Sequence, residues 1–221
     1  MAQSNIDYVL GATASSDKIA WMERFLPTTA GSALDLGCGA GLYSSWLAQR
    51  KWKVLAVDLN QPPPLQNVQT MAHNLENGLP FSDGEFHLIL AWDVLEHVAA
   101  EDALWKQLAR VLKPGGILLG SVPHSADQRL HRYNLTYKHH IDKTHQREYN
   151  AGDIEDRMRR SSLIPIQTEL KGPVSPQLFA EFVSIRFLRH PIARAIGAAR
   201  RLGFLKFDEL YGDLFFAGKK A

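Results

Sequence analysis

Residues 34–41 read Leu34-Asp35-Leu36-Gly37-Cys38-Gly39-Ala40-Gly41. Glycine at every second position lets a chain turn sharply, and it leaves bare peptide where a ligand can lie without meeting a Cβ. Seventeen residues past Gly41 stands Asp58, at the end of the apolar run Val54-Leu55-Ala56-Val57. A carboxylate placed there accepts both hydroxyls of a ribose. A second constellation is the histidine-rich stretch from His124 to Tyr149, with His124, His131, His139, His140 and His145. An imidazole near neutrality is a suitable general base for a hydroxyl. His145 and His124, then His140, are the candidate bases, each weighed against a surface or capping histidine. His139, His140, Asp142 and His145 also offer nitrogen and oxygen donors, but without a helical or hairpin frame no metal is assigned. Glu96-His97 sits between Val94, Leu95 and Val98 and reads as structural hydrogen bonding rather than chemistry.

These groups need a scaffold, and the patterning predicts one. Ser32–Leu36, Lys53–Asp58, Asn67–Ala72, Phe86–Trp92, Ile117–Val122, Ile164–Leu170 and Asp213–Lys219 read as seven strands. A helix over Ser16–Leu26 carries Ile19, Met22 and Leu26 on one face, has Ser15, Ser16 or Asp17 to cap it, and stops at Pro27. Leu42–Arg50 is a second helix, with Leu42, Trp46 and Leu47 facing inward. Glu101–Leu112 is a third, with Leu104, Leu108, Val111 and Leu112 in one stripe, closed by Lys113-Pro114-Gly115-Gly116. A further helix starts at Asn150, with Asp153 three residues on and Tyr149 and Ile154 placed as a hydrophobic staple. Strands alternating with helices imply an α/β, doubly wound, mostly parallel sheet whose chemistry lies beyond the carboxyl ends of the strands. Pro62-Pro63-Pro64 forbids a regular helix after the second strand.

The glycine spacing separates cofactor classes. A dinucleotide loop wants a third glycine at position 42, where this chain has Leu42. NAD and FAD are therefore disfavoured; a tight turn without a ligand is the plain alternative. The stretch LDLGCGAG resembles the cofactor loop of class I S-adenosylmethionine-dependent methyltransferases. Three further stretches match that family in order: Val57-Asp58; Leu79-Pro80-Phe81 with Phe86–Leu90 and Val94-Leu95-Glu96-His97-Val98; and Leu112-Lys113-Pro114-Gly115-Gly116. Together they span residues 34–122 and look most like the type 11, ubiquinone-biosynthesis-like branch. The resemblance implies S-adenosyl-L-methionine as cofactor and a seven-stranded sheet with an antiparallel last strand. It implies that Gly37, Cys38, Gly39 and Gly41 border the methionine and ribose portions, and that Asp35 supports the loop. Asp58 would take the ribose hydroxyls, with Leu59 beside it. Asn74 would meet the adenine amine and Leu75 the ring. The backbone at Trp92 would approach the methionine amino group, while its ring is as well suited to core packing. Two departures stand out: Asn74 replaces an Asp, and His87 replaces the usual strand Asp, for which only a packing change is expected.

A single domain over 1–221 is expected, with a cofactor core at 30–122, a substrate lid at 123–149 after the fifth strand, and a helical basic insert at 176–204 before the last strand. Tyr137–Tyr149 resembles an HxDxxHxRxY-like stretch of methyltransferases acting on sugars or other secondary metabolites. From Phe182 to Phe207 there is no acid, while Arg186, Arg189, Arg194, Arg200, Arg201 and Lys206 interleave with apolar residues; Pro191 is expected to split this stretch into two short helices. It reads either as a cover for the cleft or as a surface for a membrane or anionic substrate. Apolar residues at 45% and charged residues at 22% exclude a disordered chain. A net charge of +2 argues against nucleic acid as a partner, and the single Cys38 rules out an internal disulfide. Without a signal-peptide pattern or a spanning segment, a cytoplasmic setting is the expectation, with peripheral membrane contact through 182–207 as an option. The reading is methyl transfer to a small-molecule, sugar or lipid- or glycan-linked acceptor, preferably at oxygen. The alternatives are N- or C-methylation, or a cofactor-binding partner or regulator without catalysis; oligomeric state is left open.

Overall fold

The computed structural model describes residues 14–125, 144, 146–173, 186–204 and 211–221. Its elements run α1 (Ser16–Phe25), β1 (Ser32–Leu36), α2 (Leu42–Gln49), β2 (Lys53–Asp58), β3 (Val68–Ala72), β4 (Phe86–Trp92), α3 (Glu101–Val111), β5 (Leu112–Pro123), α4 (Ala151–Arg160), β6 (Leu163–Pro173), α5 (Arg189–Arg201) and β7 (Tyr211–Lys220). The strands form one sheet in the order β3-β2-β1-β4-β5-β7-β6. β1 to β5 pair in parallel, and β7 runs antiparallel between β5 and β6. The seven-stranded, mostly parallel sheet is thus as expected.

The pleat explains why the strands read as continuous apolar runs. Leu88, Leu90 and Trp92 of β4 pack into one core with Ala33, Leu119 and Phe215, while Ile89 and Ala91 join the other with Leu34, Leu36, Leu118 and Phe216. Alternate side chains serve opposite faces, so a strand covered on both sides needs no polar face. Trp21 and Met22 of α1 and Leu47 of α2 cover one face. Leu104 and Leu108 of α3 and Ile154 and Met158 of α4 cover the other. Each burial removes apolar area worth about 25 cal/mol per Å².

Local signals act as read. Ser15 Oγ accepts from Lys18 N–H at 3.5 Å and caps α1. Asn150 and Asp153 form a reciprocal capping box on α4, with bonds of 3.0 and 2.9 Å, and Tyr149 and Ile154 are both fully buried. His87 Nδ1 accepts the Ser32 N–H at 3.1 Å, a packing role; burial and the neighbouring Lys113 lower its pKa, so it sits neutral.

Three expectations need correction. β5 begins at Leu112 rather than Ile117, because Phe86 pairs with Leu112 and Leu88 with Ile117, so Lys113–Gly116 is a bulge inside the strand. Of the three residues read as able to face inward from α2, Leu47 is fully buried and Trp46, half-buried, packs against the same core, but Leu42 is half-buried and joins neither core, and Ser44 takes an inner position. Pro191 does not divide two helices. It lies in the first turn of α5, where a missing N–H is no loss, and a single turn of 3-10 helix, Arg186–Leu188, precedes it. Between β2 and β3 no helix forms, as the proline run requires.

Candidate functional site

β1 and β4 are neighbours, yet the chain leaves them in opposite directions, to β2 and β3 on one side and to β5 on the other. Their carboxyl ends therefore open into a crevice. A cavity of about 690 Å³ lies there, of a size that holds a nucleoside-sized ligand.

Gly37 closes β1 with φ +63°, and a Cβ on it would lie 2.0 Å from Val94 Cγ2; only glycine fits. The next bend is at Gly39, with φ +52° and open space where a side chain would stand. Its N–H donates to Asp58 Oδ2 at 2.9 Å, while Asp58 Oδ1 takes the Asn60 N–H at 3.4 Å. The strand-end acid thus clamps the glycine turn and still presents its carboxylate to the cavity.

Five of the expected cofactor residues line this cavity: Gly37, Asp58, Leu59, Asn74 and Leu75. Leu59 is 66% exposed, an apolar side chain standing free on the rim. Asn74 Oδ1 caps the Leu75–Asn77 turn by accepting from Glu76 N–H at 3.0 Å, which leaves one carbonyl lone pair and the amide N–H groups for a ligand. The other five do not line it. Asp35 is buried under the loop and accepts from Ser44 Oγ at 2.5 Å, tying β1 to α2; burial raises its pKa to about 7. Cys38 is buried too, its N–H on Val57 O at 3.1 Å, and burial pushes its thiol to about 12, so it is no nucleophile. Gly39 joins the site through Asp58 alone. Gly41 caps α2, and a Cβ there would meet Leu65 of the proline-rich connection at 2.1 Å. The Trp92 ring packs in the core against Tyr43 and Phe215, with centroids 5.9 and 5.6 Å away.

Sequence reasoning missed Asp93, Val94 and His97 as cavity residues. Asp93 takes the left-handed conformation at φ +53°, which turns the chain out of β4. Its carboxylate pairs with Lys18 Nζ at 2.5 Å and accepts from Ser121 Oγ at 2.5 Å. The signal is in the sequence, since Asp93 directly follows the end of an apolar strand run. His97 lies beside the cavity with Nδ1 3.0 Å from Thr144 Oγ1. Its neighbour Glu96 is fully buried, with no hydrogen-bond partner on either carboxylate oxygen among the described residues, and burial raises its pKa to about 8. The reading of Glu96-His97 as structural hydrogen bonding holds through the Glu96 backbone carbonyl, which accepts the Gln146 N–H at 2.9 Å, and through His97, while the Glu96 carboxylate takes no part in it.

Of the candidate bases, His124 follows β5, with its N–H on Gly212 O at 2.9 Å and a bridge to Tyr149; it does not line the cavity. His145 and His140, like His139 and Asp142, lie outside the described residues. Thr144 and Gln146, the sequence neighbours of His145, both line the cavity. Among the described residues no cluster of three His, Cys, Asp or Glu is arranged to hold a metal.

The site suits a donor with a ribose, a flat base and cationic groups: glycine peptides that accept close approach, a carboxylate beside them, apolar flanks at Leu59 and Leu75, and further acids at Glu76 and Asp93. A family model described as "Methyltransferase domain" matches residues 12–166. The ubiquinone biosynthesis O-methyltransferase of Caulobacter vibrioides is 34% identical over 99 residues, 38% of this chain and 38% of that protein. That of Dechloromonas aromatica is 29% identical over 109 residues, 45% and 47% of the two chains, so the match spans less than half the length of these curated relatives. Two solved structures share the fold. The 1,6-didemethyltoxoflavin-N1-methyltransferase of Burkholderia thailandensis, with bound S-adenosylhomocysteine, superposes with TM-score 0.65 at 16% identity over 99% of this chain and 83% of its own. An S-adenosylmethionine-dependent methyltransferase of Mesorhizobium loti gives 0.64 at 18% identity over 96% and 100%. Because the family model takes in well over half of the sequence, the chain belongs to the methyltransferase domain family, of the class I, S-adenosylmethionine-dependent kind.

Proposed function

We propose that this chain transfers the methyl group of S-adenosylmethionine to a hydroxyl oxygen of a small-molecule acceptor, sugars and lipid- or glycan-linked hydroxyls included. The observation that carries the reading is the Asp58 carboxylate, fixed on the Gly39 N–H at 2.9 Å and open to the cavity. The donor, when bound, supplies an electrophilic methyl group, so the protein's share is to align and to manage one proton. Asp58 holds the ribose hydroxyls. Leu59 and Leu75 flank the base, and Asn74 meets its exocyclic amine. Gly37 and Asp93 border the charged amino-acid end. The acceptor hydroxyl hands its proton to a histidine. His145 is the first candidate, supported by the cavity-lining positions of both its sequence neighbours; His97, on the cavity wall, is the second. The preference for oxygen rests on the named activity of the O-methyltransferase relatives.

The test is calorimetry with S-adenosylhomocysteine and NAD, followed by transfer of labelled methyl to pooled small-molecule hydroxyl acceptors. The homocysteine nucleoside should bind and NAD should not. Asp58→Ala should weaken binding about 10- to 100-fold, the loss of charge-assisted hydrogen bonds. NAD binding alone, or unchanged affinity in Asp58→Ala, overturns the reading. His145→Ala should abolish the rise of kcat through neutral pH; if His97→Ala does so instead, the base is His97.

A further inference from the structure

The helix α5 is amphipathic. Ile192, Ala195, Ile196 and Ala199 fall within one arc, and His190 and Arg194 lie opposite. A helix of that pattern ordinarily buries its apolar arc in a core. This one does not: none of its described residues is buried, Ile192 and Ile196 are half-covered, and Ala195 is exposed. Large apolar side chains flank it and project into solvent, with Phe187 79%, Leu202 71% and Phe204 80% exposed. The charge is one-sided as well. Six cations and no acid occupy residues 182–207.

We propose that this face docks on an anionic lipid surface, the helix lying in the interface with Phe187, Leu202 and Phe204 inserted among the acyl chains. The chemistry selects this occupant. A second copy of the chain would set one acid-free, cation-rich segment beside another in a two-fold contact, which repels. A nucleic acid would satisfy the cations but not the aliphatic arc of Ile192 and Ile196. A bilayer carrying acidic headgroups meets both at once: each Lys or Arg near such a surface contributes about 1 kcal/mol, and each buried apolar side chain adds to it. At about 20 Å long, α5 is too short to span a bilayer, and no helix among the described residues is long and apolar enough to do so, so the contact lies on the membrane.

The experiment is co-sedimentation of the full chain with phosphatidylcholine vesicles, with and without phosphatidylglycerol, at low and high salt. Binding should require the anionic lipid and fall at least fivefold at 0.5 M salt, where the screening length is only about 4 Å. Phe187→Ser/Leu202→Ser/Phe204→Ser should lose the binding at least fivefold, and Arg194→Glu should weaken it. All four side chains are exposed, so these variants should fold, as an unchanged circular dichroism melt would verify. No anionic preference, or a triple variant that binds like wild type, overturns the proposal. So does self-association in sedimentation velocity that the same triple variant abolishes, which would assign the face to a second copy. None of these residues lines the donor cavity, so failure here leaves donor binding intact and the two readings stay distinguishable.

Discussion

Asp58 and Trp92 show how differently two residues named from one motif can behave. Asp58 reaches the cavity and organises the turn that faces it. Trp92 sits one residue short of the crevice, and the pleat sends its ring into the core, where its Nε1 has no hydrogen-bond partner among the described residues. Trp92→Phe removes that unsatisfied donor at little cost in packing. It should shift stability by no more than about 1 kcal/mol by urea melts and leave donor affinity unchanged. A large loss of affinity would place the ring on the ligand. Glu96 makes the opposite case, a buried carboxyl with no hydrogen-bond partner among the described residues, His97 Nε2 standing 4.0 Å from one of its oxygens, and held near pKa 8 chiefly by burial, then by Asp93. The unfolded chain ionises this group near the ordinary carboxylate range, so from there up to about pH 8 the unfolded state binds fewer protons than the folded one. The Glu96 contribution is therefore complete at low pH and is lost as pH rises through that window. Glu96→Gln mimics the protonated form and should flatten the decline, by on the order of 2 kcal/mol at pH 9 in denaturant melts. An unaltered pH profile would mean the carboxyl is solvated. The sequence displays Glu96 as one more polar residue of a short turn; its burial comes from tertiary packing, which no local pattern encodes.

Elements tie these residues together through a few buried charges. Glu101 opens α3 and is 1% exposed. Its carboxylate accepts from Trp105 Nε1 at 2.8 Å, pairs with Arg157 of α4 at 2.9 Å, and pairs with Arg147 at the end of the long connection after β5. Gln146 N–H adds a bond to Glu96 O at 2.9 Å. The described tail of that connection is thereby pinned to the cavity wall at residues 96–101. Glu101→Ala strands two arginines beside a core, and it should cost about 3–5 kcal/mol in an equilibrium melt. Arg157→Met should cost less, since Arg147 and Trp105 still hold the carboxylate. Equal losses would show that Glu101 is not the hub. The elements themselves were readable because each carries a local rule: Asn150 with Asp153, the even-odd apolar runs of β4 and β5, Pro27 after α1. Where two local rules meet in one stretch, tertiary pairing decides between them. Lys113-Pro114-Gly115-Gly116 resembles a helix stop, but α3 has already ended at Val111 with Leu112 as its extended cap, and these residues bulge within β5 because Leu112 pairs with Phe86. Pro191 resembles a breaker by residue type, but a proline in a first turn breaks nothing.

At the scale of the molecule, one sheet separates two cores and carries the crevice on its edge, so donor binding and global stability are linked. The cavity walls come from both sides of the strand-order switch: Asp58 and Leu59 follow β2, Asp93 and Val94 follow β4, and Gln146 leads into α4. A ligand that bridges them binds the folded chain and has no counterpart in the unfolded one, and it stabilises by RT ln(1 + [L]/Kd). At a hundredfold excess over Kd that is about 2.7 kcal/mol, and a chain of this size moves by about 2–4 °C per kcal/mol. Thermal melts with saturating S-adenosylhomocysteine should therefore rise by about 5–10 °C. NAD should give no shift, since Leu42 stands where a dinucleotide turn wants its third glycine. Asp58→Ala should lose the shift while keeping most of the unliganded melting temperature, because Asp58 is half-exposed and holds only two backbone N–H groups. Glu101→Ala should do the reverse, melting early yet gaining a comparable shift. If both variants lost the shift together, the crevice would not be an independent binding site but a by-product of the packing beneath it.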